Sequence, residues 1–530
     1  MKRERAKRPV VMALGVTLAG AALLAPADEP SLPSAAAGVL GLWGVTRSFG
    51  PEIRGELTLA RTGGVWSAAI AGVGAPVEVR GDAVDFELPG RLGSFRGRLD
   101  PGGLQVRGHW VQPAGAATGV AWATPVDLRR ITPGVWRGTV VPLEEAVTVF
   151  VDVRADSDGV VRAVFRNPDG FFGNDRLALA VEGQHLKFSS AEGGAPVLEG
   201  EFDARHDRLL LPIPDGSRFP ELRTTLELNR RSRDDARGYF PRTSPARYTY
   251  HPPSPDADGW RTASLSDVGL DPARISGLVQ KILDTDPRSP AAPLVHSLLI
   301  ARHGKLVLEE YFYGFDEHRA HDLRSAGKTF ASVLAGIAIA HGAKFGPATP
   351  VYTLFPGYAS FAHPDPRKQR MTVEHLMTMT SGFDCDENGN DNAPGNEDKM
   401  QSQTKQPDWY KFLLDQPLAA APGDVFAYCS GAVNLVGGIV RNTTRTWLPE
   451  YFDRFLARPL AMRTYHMNLM PTGEGYMGGG LHIRPRDELK LGQVYLNGGV
   501  WNGKRIVSRK WVQESTARHP MNAHGTDGYD

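Results

Sequence analysis

Two residue pairs in this chain have the types and the spacing to activate a hydroxyl, Ser325 with Lys328 and Ser402 with Lys405. Ser-x-x-Lys is expected roughly once by chance in a chain this long, so context must separate them. Lys328 is followed by Thr329-Phe330 and the apolar run Ala331 to Ala340, which reads as a helix buried on nearly every face. Residues at i and i+3 share one face of a helix, so the hydroxyl and the amine can point into one cavity. A serine at a helix head has unpaired backbone N–H groups and the positive end of the helix dipole beside it, and both favour a developing anion. A lysine at the mouth of an apolar helix is partly desolvated, which favours the neutral amine and lets it act as a base. Ser402 and Lys405 lie in the polar, Asn-rich stretch 384–408 with no apolar helix after it, and read as loop. Gly327-Lys328-Thr329 could also end a phosphate-binding loop, but that motif needs a glycine where this chain has Asp322.

The elements around this pair follow from the rest of the chain. It has 530 residues with 41% hydrophobic and 22% charged side chains, the composition of ordinary domains that bury real cores. A net charge of +1 gives no reason to expect nucleic acid as a partner. Neither the histidines nor the two cysteines form a metal-ligand pattern, and no cofactor is expected. Lys2, Arg3, Arg5, Lys7 and Arg8 precede an apolar run from Val10 to Leu24 and then Ala25-Pro26-Ala27. These are the parts of a secretory signal peptide over 1–27, and they predict an exported protein, periplasmic or extracellular, with no stable membrane span after cleavage. An uncleaved anchor is the alternative. Export permits a disulfide, and Cys385 and Cys429 are its only candidates; two separate buried thiols are the other reading.

Residues 28–38 read as linker, and 39–229 as a β-rich region of barrel or sandwich units. Two similar texts, 39–127 and 131–229, each open on a Gly-x-Trp start, at Trp43 and at Trp136, and suggest two repeats. Trp43, Trp66, Trp110 and Trp136 are expected in cores rather than around a ligand. A charged, Pro-rich linker is expected over 230–262. Beyond it, Asp271-Pro272 caps an amphipathic helix, and two strands, 295–302 and 305–314, are hinged at His303-Gly304.

Four ordered blocks then point to a family. LRSAGKTF, MTVEHLMTMTSGF, PGDVFAYCSGAVNLVG and MGGGLHIRPRDELKLGQVYLNGGVWNGKRIVS together resemble the serine β-lactamase and penicillin-binding-protein-like hydrolases, in particular the class C-like branch with its esterases and amide hydrolases. The resemblance covers about 260–530. It implies an α/β domain over 263–530, with an antiparallel sheet and a helical subdomain. It implies an exported serine hydrolase that cleaves an ester or amide bond, β-lactam and D-Ala-D-Ala bonds included. Ser325 would be the nucleophile, with Lys328 and Tyr428 as proton-transfer groups and an acyl-enzyme as intermediate. Ser430 stands where the family more often has asparagine, a position that helps bind substrate.

The family's third motif, Lys or His-x-Gly on a strand lining the site, is not reached by Asp530, and His524 does not supply it. The sequence is therefore expected to be a fragment of a longer protein, or else a truncated product. The second case carries the alternative function, a catalytically inactive cell-wall or small-molecule binding and sensing protein. Asp384-Cys385-Asp386-Glu387-Asn388-Gly389 copies the start of a calcium loop, but the twelfth position, which needs an acid, is Gly395. A solvated loop near the substrate cleft is the expectation there.

Overall fold

The two Gly-x-Trp strands sit in each other's units. Strand β1 (Gly41–Gly50) leaves the N-terminal text, while β2 (Gly55–Thr62) begins its sheet. The strands β3 (Gln105–Gln112), β4 (Ala121–Thr132) and β5 (Val135–Val140) continue that sheet. There β5, with Trp136, pairs antiparallel with both β2 and β4. In exchange, β1 pairs with β6 (Glu145–Ala155) and β7 (Thr225–Arg230), closing an eight-stranded barrel. Each tryptophan plugs the core it enters: Trp43 lies among Val151, Phe188 and Leu228, and Trp136 lies with Leu57, Phe95 and Trp110.

This computed structural model describes residues 36–115, 119–169, 175–190, 194–212, 224–244, 247–289, 291–403 and 407–519. The signal-like segment 1–27, linker residues 28–35, Lys405 and His524 lie outside the described residues. Among the described residues no helix is long and apolar enough to cross a membrane.

The segment 230–262 is irregular, yet it is packed. Ala236 and Tyr239 are buried, and the Tyr239 hydroxyl donates to Asp152 of the barrel at 2.9 Å. Helix α1 (Pro272–Leu283) follows, with the Asp271 carboxylate capping Ala273 N–H at 2.8 Å. Strands β8 (Ser297–Arg302) and β9 (Lys305–Tyr311) form an antiparallel hairpin, and Arg261–Thr262 runs parallel to β9. At the hairpin turn His303 and Gly304 both have positive φ, 53° and 69°, which suits the twist of the strands they join.

A short strand β10 (His321–Asp322) leads into helix α2 (Lys328–Ala340), whose residues Val333 to Ala338 are all buried. Helix α3 (Ser430–Thr444) packs against α2, and the two form the centre of the largest core. Strands β11 (Tyr465–Leu469) and β12 (Leu481–Ile483) precede helix α4 (Pro485–Leu496). Inside α4, Arg486 pairs with Asp258 at 2.8 Å and with Glu309 at 2.7 Å, while Lys490 pairs with Asp487 at 2.6 Å. All five side chains are nearly or fully buried, so each charge needs its partner.

One sheet joins the two halves of the molecule. Strand β4 pairs with β11, β11 with β12, and β12 with β10. Hydrogen-bonded backbone thus runs from the N-terminal unit to Asp322, three residues before Ser325.

Candidate active site

Ser325 lies in a single 3-10 turn, Arg324–Gly327, and Lys328 is the first residue of α2. Lys328 Nζ donates to Ser325 Oγ at 2.9 Å, with Ser325 exposed to the cleft and Lys328 half-buried. Arg324 adopts a left-handed φ of 48°, which a non-glycine residue holds only when its surroundings impose it. The Asp322 carboxylate imposes it here: it accepts Arg324 N–H at 2.9 Å and pairs with the Arg324 guanidinium at 2.8 Å. The twist swings Ser325 out of line with β10 and onto the head of the helix.

The glycine-rich turn closes on the same place. Leu323 N–H donates to Leu481 C=O at 3.0 Å, so the chain after Gly480 lies alongside the chain before Ser325. A Cβ at Gly479 would stand 3.2 Å from Arg324 O, and one at Gly480 would stand 2.4 Å from Asn468 Cβ. Only glycine lets this turn approach the nucleophile strand so closely.

Tyr428 stands across from the pair, with its ring centroid 5.0 Å from Lys328 Nζ. The structure thus brings Ser325, Lys328 and Tyr428 together. Ser430 is placed differently. It is fully buried in the first turn of α3, and its backbone N–H and hydroxyl donate to the two oxygens of Glu387 at 2.6 and 2.7 Å. Its side chain is held away from the open cleft rather than offered to a substrate. Cys385 and Cys429 are disulfide-bonded, with Cα atoms 5.5 Å apart. Ser402 ends the helix Glu397–Gln401, and its hydroxyl donates to Lys399 C=O at 3.4 Å.

Glu387 escaped the sequence reading, which took its loop as solvated surface. Burial pushes its carboxyl up to about 7, and the nearby Glu397 carboxylate adds to this, against the pull of its bonds to Ser430 and of the Lys328 ammonium. The signal that could have found it is its place two residues after a cysteine that can pair beside Tyr428. Among the described residues no group of three or more His, Cys, Asp or Glu could hold a metal ion.

The structure thus gathers a hydroxyl on a helix head, an amine in contact with it, a facing phenol and a close glycine turn. Residues 291–523 match the family model described as Beta-lactamase. The chain is 25% identical over 360 residues to the 6-aminohexanoate-dimer hydrolase of Paenarthrobacter ureafaciens, covering 66% of this chain and 79% of that one. A solved Bacillus anthracis protein, provisionally given the same hydrolase name, is 23% identical over 41% of this chain, with a TM-score of 0.34. That match spans 57% of the Bacillus protein, under two thirds of its length. EstCE1, a hydrolase with promiscuous acyltransferase activity, is 17% identical over 41% of this chain and 70% of its own, with a TM-score of 0.33.

Proposed function

We propose that the protein is an exported serine hydrolase that cleaves an ester or amide bond through an acyl-enzyme on Ser325. The observation that carries this reading is the 2.9 Å contact between Lys328 Nζ and Ser325 Oγ. In the first step Lys328, as a neutral amine, takes the hydroxyl proton while Oγ attacks the carbonyl carbon. The oxyanion forms beside the backbone N–H of Ser325, at the positive end of α2. Tyr428 passes a proton to the departing alcohol or amine, and the Lys328 ammonium beside its ring makes that transfer easier. Water then attacks the acyl carbon and Ser325 Oγ leaves with a returned proton.

The curated relative named for an amide dimer favours a linear amide of small acyl and amine parts as one substrate class. The open position of Ser325 suits an ester as well. Export rests on the basic and apolar head of the chain, and the disulfide at Cys385 and Cys429 supports it.

Intact-mass labelling with a fluorophosphonate, and separately with a penicillin, tests the nucleophile. One adduct per chain is expected, absent in Ser325→Ala, and a penicillin adduct would extend the substrate class to β-lactams. Chain that stays unlabelled while folded, or an adduct that survives in Ser325→Ala, would sink the reading.

A further inference from the structure

Helix α3 begins without a cap of its own. Cys429, in the capping position, makes no side-chain bond to the helix, yet the first turn presents unpaired N–H groups to a buried interior. The loop before it supplies what is missing, through three consecutive ties. Cys385 is bonded to Cys429, Glu387 N–H donates to Tyr428 C=O at 2.9 Å, and the Glu387 carboxylate takes both donors of Ser430. A carboxylate at a helix N-terminus is well placed as a cap. An exposed aspartate would serve that purpose, however, and Glu387 is instead drawn into the interior. There its titration is raised by the charge of Glu397, whose own carboxylate accepts the Tyr476 hydroxyl, and lowered by that of Lys328.

We infer that Glu387 is a positioning residue of the acyl-transfer site, holding Tyr428 opposite Lys328 through its bonds to Tyr428 C=O and to Ser430. The inference rests on the Ser325 reading and adds to it the group that fixes Tyr428 in place. As a carboxylate, Glu387 accepts both donors of Ser430 at once, and so fixes the turn that carries Tyr428. Protonation of Glu387, pushed up to about 7 by burial and by Glu397, takes one of those acceptor oxygens away.

Glu387→Gln separates charge from geometry. The amide oxygen can still accept Ser430 N–H, and its NH2 can donate to Ser430 Oγ, so the cap survives while the charge is gone. The measurement is the rate of fluorophosphonate labelling of the full chain against pH, in wild type, Glu387→Gln and Glu387→Ala. The wild-type rate should fall as pH drops through about 7, and Glu387→Gln should lack that step, with little change in the plateau. Glu387→Ala, which also loses the cap, should lower the plateau as well, and failure of that variant to fold leaves the Gln comparison intact. A Glu387→Gln profile that superimposes on wild type would overturn the inference while leaving the nucleophile assignment standing. Absence of any Ser325-dependent adduct in wild type would overturn the assignment itself, and this role with it.

Discussion

At the scale of single residues, the site depends on two side chains that meet across one helical turn and a third that faces them. Among the described residues, the Lys328 amine meets the hydroxyl of Ser325 and the face of the Tyr428 ring, and no ion pair ties it to a carboxylate. That leaves it available as a base instead of locked in an ion pair. Lys328→Met keeps the length and apolar stem of the side chain and removes the amine. Its labelling rate should fall by about 10²- to 10⁴-fold, the usual worth of a positioned general base. Tyr428→Phe keeps the ring against α2 and removes only the hydroxyl. It should depress turnover of an amide more than that of an activated ester, because a poor leaving group needs the proton that Tyr428 supplies. Stopped-flow labelling and steady-state hydrolysis of a matched ester and amide measure both effects. Equal losses on the two substrates would remove Tyr428 from the leaving-group step.

Elements explain which of these residues could be read in advance. Ser325, Lys328 and the buried α2 were legible because a helix head and an apolar run are local signals. The helix at 272–283 and the hinge at His303-Gly304 were legible for the same reason. Glu387 was not, because its role depends on the distant head of α3, and a run of Asp, Glu and Asn reads as surface until something buries it. The exchange of β1 and β5 was equally hidden. Both strands start Gly-x-Trp, and whether each enters the barrel or the open sheet is decided by pairing with β6 or with β2, not by its own text. The element most exposed to loss is the loop that carries Glu387. The Cys385–Cys429 bond closes 44 residues of chain, so removing it should cost up to about 4 kcal/mol by the chain-entropy estimate. Cys385→Ser with Cys429→Ser should therefore lower the unfolding midpoint. Because the bond also ties the loop to Tyr428, labelling should slow at temperatures where the variant is still fully folded. A lower midpoint with unchanged labelling would limit the disulfide to stability and detach it from the site.

For the whole molecule, the decisive feature is the sheet shared by the N-terminal unit and the hydrolase domain, and it is lined with histidines. His109 of β3 meets the Tyr465 hydroxyl of β11 at 2.8 Å, His466 of β11 meets Thr124 of β4 at 2.8 Å, and His482 of β12 packs edge-on against Trp122. His321 of β10 and His296 stack with Phe315 just beyond. Burial holds all five neutral: His109, His321, His466 and His482 are pushed down to about 3 and His296 to about 4. The charges around them help little. Arg458 works against protonation of His109 while Glu450 and Asp127 favour it, and Arg319 opposes it at His296, His321 and His482, with Asp169 and Asp316 pulling the other way. In the unfolded chain each imidazole takes up a proton near 6.5, and the folded chain refuses it until far lower pH. Stability is therefore complete above about 6.5 and falls as pH drops through the window toward 3 to 4, by about 1.4 kcal/mol per pH unit for each proton bound only by the unfolded state. Raised carboxyls act in the opposite sense, favouring the folded form as pH falls: Glu387, pushed up to about 7, and also Asp85, Glu309, Asp453 and Glu488, so the net slope is that of the histidines less theirs. Unfolding midpoints measured between pH 7.5 and 5 should drop steeply, and His466→Asn with His482→Gln should flatten the slope. The same acidification should abolish Ser325 labelling, because the seam that opens carries the backbone of His321 and Asp322 that leads into the nucleophile turn. A midpoint that stays level from pH 7 to 5 would show that these histidines reach water or a partner in the folded protein, and that the seam is not sealed by burial.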